Sequence, residues 1–113
     1  MPPTSKDREV TVVHLASHYS GLDDPTDLMA EMLRVADEAD PPRLVLDLSA
    51  TEYFDSQFVE VMVRVWKRIG ARGGQMVLAG LSANCSDVIR VLKLDTIWDV
   101  YPTPAEAVAA LAD

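Results

Sequence analysis

Apolar positions follow two different spacings along the chain, and each spacing predicts a different kind of element. Short continuous apolar runs, of which residues 43–48 are the clearest, predict buried strands. Between these runs, apolar residues recur three and four positions apart, which predicts helices with one buried face. Because the two patterns alternate, they predict a small α/β domain with a mixed or largely parallel sheet.

Turn and capping residues divide these segments. The predicted strands are residues 10–16, 43–48, 75–79 and 96–101. Helices are predicted to start at Pro25 behind a cap at Asp24, at Ser56, after Ser82, and at Pro104. Proline suits a first helical position because it has no N–H to leave unsatisfied there. Thr103 and Glu106 also have the spacing of a capping box, so the chain is predicted to end in a helix.

The segment after Ser56 allows two interpretations. Valines alternate in it, as they do in strands, at Val59, Val61, Val63 and Val65. Its polar residues nevertheless gather on one side of a helical wheel, and Glu60 and Arg64 form a supportive pair four residues apart. We therefore predict a helix with an apolar face made by Phe58, Val61, Met62, Val65, Trp66 and Ile69. Residues 70–74, rich in glycine, end it.

Composition and charge restrict the class of partner. The chain has 113 residues, enough for one domain with its own core, and 49% of them are hydrophobic, which excludes a disordered chain. The net charge of −8 argues against nucleic acid or an anionic membrane surface as partner. Ten acidic residues between Asp23 and Asp55 are opposed only by Arg34 and Arg43. Such a region is either a solvated face or a surface that meets a basic patch on another protein.

The termini and the single cysteine predict a cytoplasmic location. Cys85 has no partner for a disulfide within the chain, and we expect it to fill apolar space beneath a helix. The first six residues lack the apolar segment of a signal peptide, and no apolar run approaches the length of a membrane span. Residues 1–9 are predicted to be a flexible segment and residues 10–113 a single domain.

The strongest candidate for chemistry is Ser56, at a predicted strand-to-helix turn. Free backbone N–H groups and the positive end of the helix dipole favour a phosphate at such a place. Ser56 is therefore either a helix cap or a phosphoacceptor, and Asp55 is an alternative cap. His14 and His18 lack further ligands at a metal-binding spacing, and no phosphate loop or nucleophile elbow is present. We predict no metal, no cofactor and no catalytic residue.

Taken in order, these features resemble the STAS domain family, the anti-sigma factor antagonists. The resemblance extends from about residue 10 to residue 111 and depends mainly on residues 22–26, 44–48, 54–56 and 73–77. It implies a small αβ sandwich, in which a four- to five-stranded mixed sheet is flanked by about four helices. Since few residues precede residue 10, the family's first strand is expected to be short or missing.

The resemblance also implies a function and a site. Members of the family typically bind an anti-sigma factor that is also a serine kinase, and phosphorylation of a serine after the central strand disrupts the complex. By position that serine is Ser56. The partner-binding surface is then expected to comprise Asp23, Asp24, Thr26, Asp55, Ser56, Gln57, Phe58 and Val59.

One departure from the family pattern keeps alternative functions open. Gln57 and Phe58 stand where the family usually has serine or threonine followed by glycine. Phe58 begins the apolar face of its helix, so we expect it to point into the core. The chain could accordingly be a docking subunit that works without phosphorylation, or a sensor of a small ligand such as a nucleotide. The sequence does not determine the oligomeric state.

Overall fold

The computed structural model describes residues 3–16, 18–19 and 25–112, with the side chains of residues 18–19 and 25–26 left out. The described strands are β1 (Thr4–Asp7), β2 (Val10–His14), β3 (His18–Tyr19), β4 (Arg43–Asp47), β5 (Tyr53–Phe54), β6 (Gln75–Ala79) and β7 (Val100–Tyr101). The described helices are α1 (Pro25–Glu38), α2 (Ser56–Ala71), α3 (Ala83–Val91) and α4 (Pro104–Leu111), with a 3-10 turn at Leu94–Thr96. None of these helices has both the length and the apolar composition needed to cross a bilayer.

Five of the strands form one mixed sheet in the order β1-β2-β4-β6-β7. The edge strand β1 pairs antiparallel with β2, and the remaining neighbours pair parallel. The short strands β3 and β5 form a separate parallel pair. This arrangement confirms the predicted α/β class and the four- to five-stranded mixed sheet with about four helices.

Helices cover both faces of the sheet, which explains why the central strands are apolar along their whole length. Leu44 and Leu46 of β4 face the core that α1, α2 and α3 share. Val45, between them in sequence, faces the smaller core beneath α4. Successive residues of a strand point to opposite faces, and all three side chains are fully buried because both faces are covered.

The helix predicted after Ser56 is confirmed, and its strand alternative is wrong. The buried residues of α2 follow helical spacing and are Phe58, Val61, Met62, Val65 and Ile69. Val59 and Val63 are only half-buried, so the alternating valines do not share one face. Packing of the apolar face against the sheet therefore decides the conformation, as tertiary context commonly overrides β propensity.

The two edges of the sheet differ from the sequence prediction. The first nine residues were predicted to be a flexible segment in which the family's first strand is short or missing, and Thr4–Asp7 form the short strand β1. Positive φ angles at Arg8 and Glu9 make the tight turn into β2, as a two-residue hairpin requires. Residues 96–101 were predicted as one strand, but only Val100 and Tyr101 are β7. Trp98 instead donates its backbone N–H to the Leu94 carbonyl at 3.0 Å, and its side chain lies in the core, where it is 1% exposed.

Candidate functional site

The N-terminus of α2 is capped by Asp55, which resolves the alternative that the sequence left open. One carboxylate oxygen, Oδ1, accepts hydrogen bonds from the N–H groups of Gln57 at 3.1 Å and Phe58 at 3.2 Å. Asp55 has extended backbone angles, as a capping residue should. Ser56 is therefore the first helical residue rather than the cap, and its side chain is exposed.

Replacing Asp55 with alanine is expected to lower the free energy of unfolding by about 1 kcal/mol, within a range of about 0.5–2 kcal/mol, because two helix N–H groups lose their acceptor. Asp55→Asn is the matched control, since asparagine caps almost as well and loses only the interaction of the charge with the helix dipole. Urea denaturation of the three proteins measures the difference. Equal destabilisation by alanine and asparagine would contradict a capping role.

Of the eight predicted surface residues, the structure places four at the N-terminus of α2 and buries one, Phe58. Ser56 and Gln57 are exposed, and Val59 is half-buried. Asp23 and Asp24 lie outside the described residues, as does the side chain of Thr26.

Phe58 was predicted to lie on the contact surface, but it is buried. Its side chain is 0% exposed and stacks on Phe54, with ring centroids 5.4 Å apart. The expectation that Phe58 points into the core is confirmed, so its side chain cannot contact a partner. It supports the site from beneath, because it fixes the first turn of α2 against β5.

An apolar groove that the sequence did not predict lies beside Ser56. It has a volume of about 390 Å³ and runs between the end of β5, the first turn of α2 and the second half of α3. Its lining residues are Tyr53, Phe54, Asp55, Ser56, Asp87, Val88, Val91 and Leu92. Leu92 follows the last residue of α3 as its C-terminal cap and is 50% exposed.

The start of α3 is held against the segment before β5, which fixes the two walls of the groove. Ser82 caps α3 by accepting a hydrogen bond from the Cys85 N–H at 3.2 Å, and its hydroxyl lies 3.4 Å from the Glu52 carbonyl. The Cys85 thiol lies 3.6 Å from the Thr51 carbonyl. Burial raises the pKa of this thiol, which fits the predicted role of Cys85 as filler beneath a helix.

A second polar cluster joins three strands at the carboxyl ends of β2 and β4. His14 Nδ1 lies 2.8 Å from Asp47 Oδ2, and His14 Nε2 lies 2.9 Å from Ser5 Oγ. Asp47 Oδ1 also accepts a hydrogen bond from the Ser49 N–H at 2.9 Å. The cluster therefore ties the edge strand β1 through β2 to β4. Within the described part of the chain, no group of three or more potential ligands could hold a metal ion.

The pKa of Asp47 is predicted to make stability depend on pH. Burial alone would raise this pKa, but the hydrogen bonds from Ser49 and His14 outweigh it and hold the pKa below its usual value. The folded state thus binds fewer protons than the unfolded state, whose pKa is about 3.9. This stabilisation is complete above that unfolded value and is lost as the pH falls through the lower folded value.

We expect Asp47→Asn to reduce the free energy of unfolding at pH 7 by about 1.5–3 kcal/mol, the usual range for a hydrogen-bonded charge. The variant should also lose less stability than the parent protein when the pH is lowered through about 4, since its amide does not titrate. Urea denaturation at a series of pH values measures both effects. Parallel stability curves for the two proteins would show that Asp47 is not a source of the acid sensitivity.

Comparisons with known proteins agree with this architecture. A family model described as the STAS domain matches residues 6–107. A STAS domain anti-sigma-factor antagonist protein from Planctomyces limnophilus has a TM-score of 0.86 and 28% identity, over 99% of this chain and 98% of that chain. An anti-sigma factor antagonist from Mycobacterium paratuberculosis has a TM-score of 0.83 and 24% identity, over 100% and 94%. The phosphorylated form of the Bacillus cell fate determinant SpoIIAA has a TM-score of 0.70 and 16% identity, over 97% and 98%.

Proposed function

The chain belongs to the STAS domain family, and we propose that it is an anti-sigma factor antagonist whose partner binding is switched by phosphorylation of Ser56. In this proposal the chain is a cytoplasmic interaction domain without catalytic residues. Its unmodified form binds an anti-sigma factor, and the phosphorylated form releases it.

The observation that carries the proposal is the position of the Ser56 hydroxyl. Asp55 already caps α2, so the helix does not need this hydroxyl for its own N–H groups. Ser56 is exposed at the first position of the helix, where a kinase can reach it. A buried serine would require local unfolding before modification.

Similar proteins support the proposal from two directions. The structures from Planctomyces limnophilus and Mycobacterium paratuberculosis are both described as anti-sigma factor antagonists. The structure of SpoIIAA in its phosphorylated form shares the fold of this chain, so the fold is compatible with a phosphoryl group in that protein. We extend the antagonist role to this chain on that basis.

The physical effect of a phosphoryl group differs between the free protein and the complex. A phosphoserine carries a charge of about −1.5 to −2 at neutral pH. In the free protein it would lie in water at the N-terminus of α2, where the helix dipole stabilises an anion by about 0.3–1 kcal/mol. In a complex the same group would lose its hydration against the partner, which costs several kcal/mol unless it is newly paired. Phosphorylation should therefore disrupt the complex and preserve the fold.

The proposed contact surface is Ser56, Gln57, Asp55 and the exposed part of Val59, extended by the predicted residues Asp23, Asp24 and Thr26. Because all three charged residues in this set are acidic, the partner is expected to present a basic surface. The proposal omits Phe58, which is buried.

A phosphorylation assay tests the proposal. Each anti-sigma factor kinase of the source organism is incubated with the chain and ATP, and intact mass is measured. We expect one of them to add a single phosphoryl group to the parent protein and to Ser86→Ala, which removes another exposed helix serine, but not to Ser56→Ala. Modification of Ser56→Ala would overturn the proposed site. Stable binding of such a kinase without any phosphoryl transfer would identify the chain as a phosphorylation-independent docking subunit.

A further inference from the structure

The groove beside Ser56 is lined by three large apolar side chains that are exposed to solvent. Tyr53 is 46% exposed, Val91 is 74% exposed and Leu92 is 50% exposed. These three side chains belong to two elements, β5 and the end of α3, and line one continuous groove. Its volume of about 390 Å³ lies in the range of about 300–1,000 Å³ that ligand pockets usually have. Contiguous exposed apolar surface of this kind commonly marks an interaction site.

The charges on the walls of the groove have one sign. Of the eight described residues that line it, the two charged ones, Asp55 and Asp87, are both acidic and stand on opposite walls. Asp87 pairs with Arg90, but both side chains of that pair are more than 60% exposed, so water screens the pairing. The chain as a whole carries a net charge of −8. The groove therefore combines an apolar lining with two negative charges.

We propose that this groove receives a large apolar side chain of the protein partner, flanked in the partner by lysine or arginine. The apolar side chain would cover Tyr53, Val91 and Leu92, and the flanking cations would lie near Asp55 and Asp87. This inference rests on the proposed function, because it identifies where the partner of the Ser56 surface makes its central contact. It adds α3, which the sequence did not connect with the site.

The position of Ser56 in the wall of the groove gives phosphorylation a direct means of control. A phosphoryl group on Ser56, which lines the groove, would bring its own hydration shell to that wall. An apolar side chain could then enter only by removing that shell, which is unfavourable. Flanking cations on the partner would by themselves attract the phosphate. Exclusion from the groove, rather than repulsion between charges, is thus the means of release.

Matched serine substitutions test the groove against the rest of the exposed apolar surface. Val91→Ser/Leu92→Ser alters the groove, whereas Ile97→Ser/Val100→Ser alters two apolar residues that are 42% and 40% exposed but do not line it. Affinity for the anti-sigma factor is measured by calorimetry, and circular dichroism verifies that each variant is folded. We expect the groove variant to bind at least about tenfold more weakly, as central apolar contacts do, and the control variant to bind within about twofold of the parent. Equal effects of the two variants would overturn the proposal.

A second measurement does not depend on the switch kinase. The isotope-labelled chain is titrated with three acetylated, amidated peptides, Lys-Phe-Lys, Lys-Ser-Lys and Glu-Phe-Glu, and amide chemical shifts are followed. We expect saturable shifts at Tyr53, Val88 and Leu92 with Lys-Phe-Lys alone, and weaker binding at higher salt because the two negative charges are screened. If no kinase modifies Ser56 but this pattern appears, the proposed phosphorylation switch is refuted, whereas the proposal that the groove binds a partner is supported. Binding of Glu-Phe-Glu as tight as that of Lys-Phe-Lys would overturn the predicted charge of the partner.

A second copy of this chain is the competing occupant. Sedimentation equilibrium of the parent protein and the groove variant separates the two cases. A monomer at all concentrations supports a hetero-partner. A dimer that dissociates on Val91→Ser/Leu92→Ser would show that the groove serves self-association and would overturn the proposal.

Discussion

Phe58→Ala is expected to lower the free energy of unfolding by about 3–5 kcal/mol, the usual loss for removing a fully buried phenylalanine. The Phe58 side chain is 0% exposed, and its ring stacks on Phe54 with centroids 5.4 Å apart and planes 28° from parallel. Its removal leaves a cavity beneath the first turn of α2 and also removes the aromatic contact, which is worth about 0.5–1.5 kcal/mol. Such a loss is a large part of the stability of a small domain, about 5–15 kcal/mol. Urea denaturation gives the value.

Tyr53→Ala is the control for this prediction. It removes an aromatic side chain of similar size from β5, next to Phe54 in the sequence, but that side chain is 46% exposed. We expect a loss below about 1 kcal/mol, since partly exposed positions outside the core contribute little. Similar losses for the two variants would mean that Phe58 is not a core residue and would return it to the contact surface.

Phosphorylation of Ser56 is expected to weaken binding of the anti-sigma factor by about a hundredfold or more, which corresponds to about 2.7 kcal/mol. The reason is the loss of hydration of the phosphate at the groove, where the free protein keeps it exposed. The folded domain should be unaffected, so the midpoint of thermal unfolding should change by no more than a few degrees. Calorimetric titration of the modified and unmodified proteins measures the change in affinity.

Three substitutions at Ser56 separate the contributions to this effect. Ser56→Ala removes the acceptor and should bind about as tightly as the unmodified protein. Ser56→Asp and Ser56→Asn have nearly the same shape and differ in charge, so their difference in affinity measures the charge alone. If release depends on exclusion from the groove, both should weaken binding less than the larger phosphoryl group does. Phosphorylated protein that binds as tightly as Ser56→Ala would refute the switch.

The N-terminus of α2 shows how closely the sequence approaches the site and where it stops. The pattern of apolar residues predicted a helix beginning at Ser56, and the structure has that boundary. It could not decide whether Asp55 or Ser56 caps the helix, because both residues are good caps. The structure decides it through the orientation of the Asp55 carboxylate toward two N–H groups. Because Asp55 is the cap, the hydroxyl of Ser56 is available for the proposed phosphorylation.

The edge segments of the sheet were mispredicted because they lack the spacing of apolar residues that is typical of the elements that they form. All four residues of β1 are exposed, so alternation between a buried and an exposed face is absent. The strand is defined instead by its register with β2 and by the hydrogen bond from Lys6 Nζ to the Asp40 carbonyl, which is 2.7 Å long. Between Thr96 and Asp99, the apolar residues that suggested a strand serve a turn that places Trp98 in the core.

By itself the sequence determined the order of the four helices, the buried face of α2 and the position of Ser56 at a helix start, because periodicity and capping are local properties of the chain. Only the tertiary structure decided that Asp55 rather than Ser56 caps α2, that β1 joins the sheet, and that residues 87–92 meet residues 53–56 in one groove. The groove depends on how elements more than thirty positions apart in the chain pack together, and packing follows from the shapes of all the side chains at once. The site thus begins in a local sequence pattern and is completed by contacts that no local pattern contains.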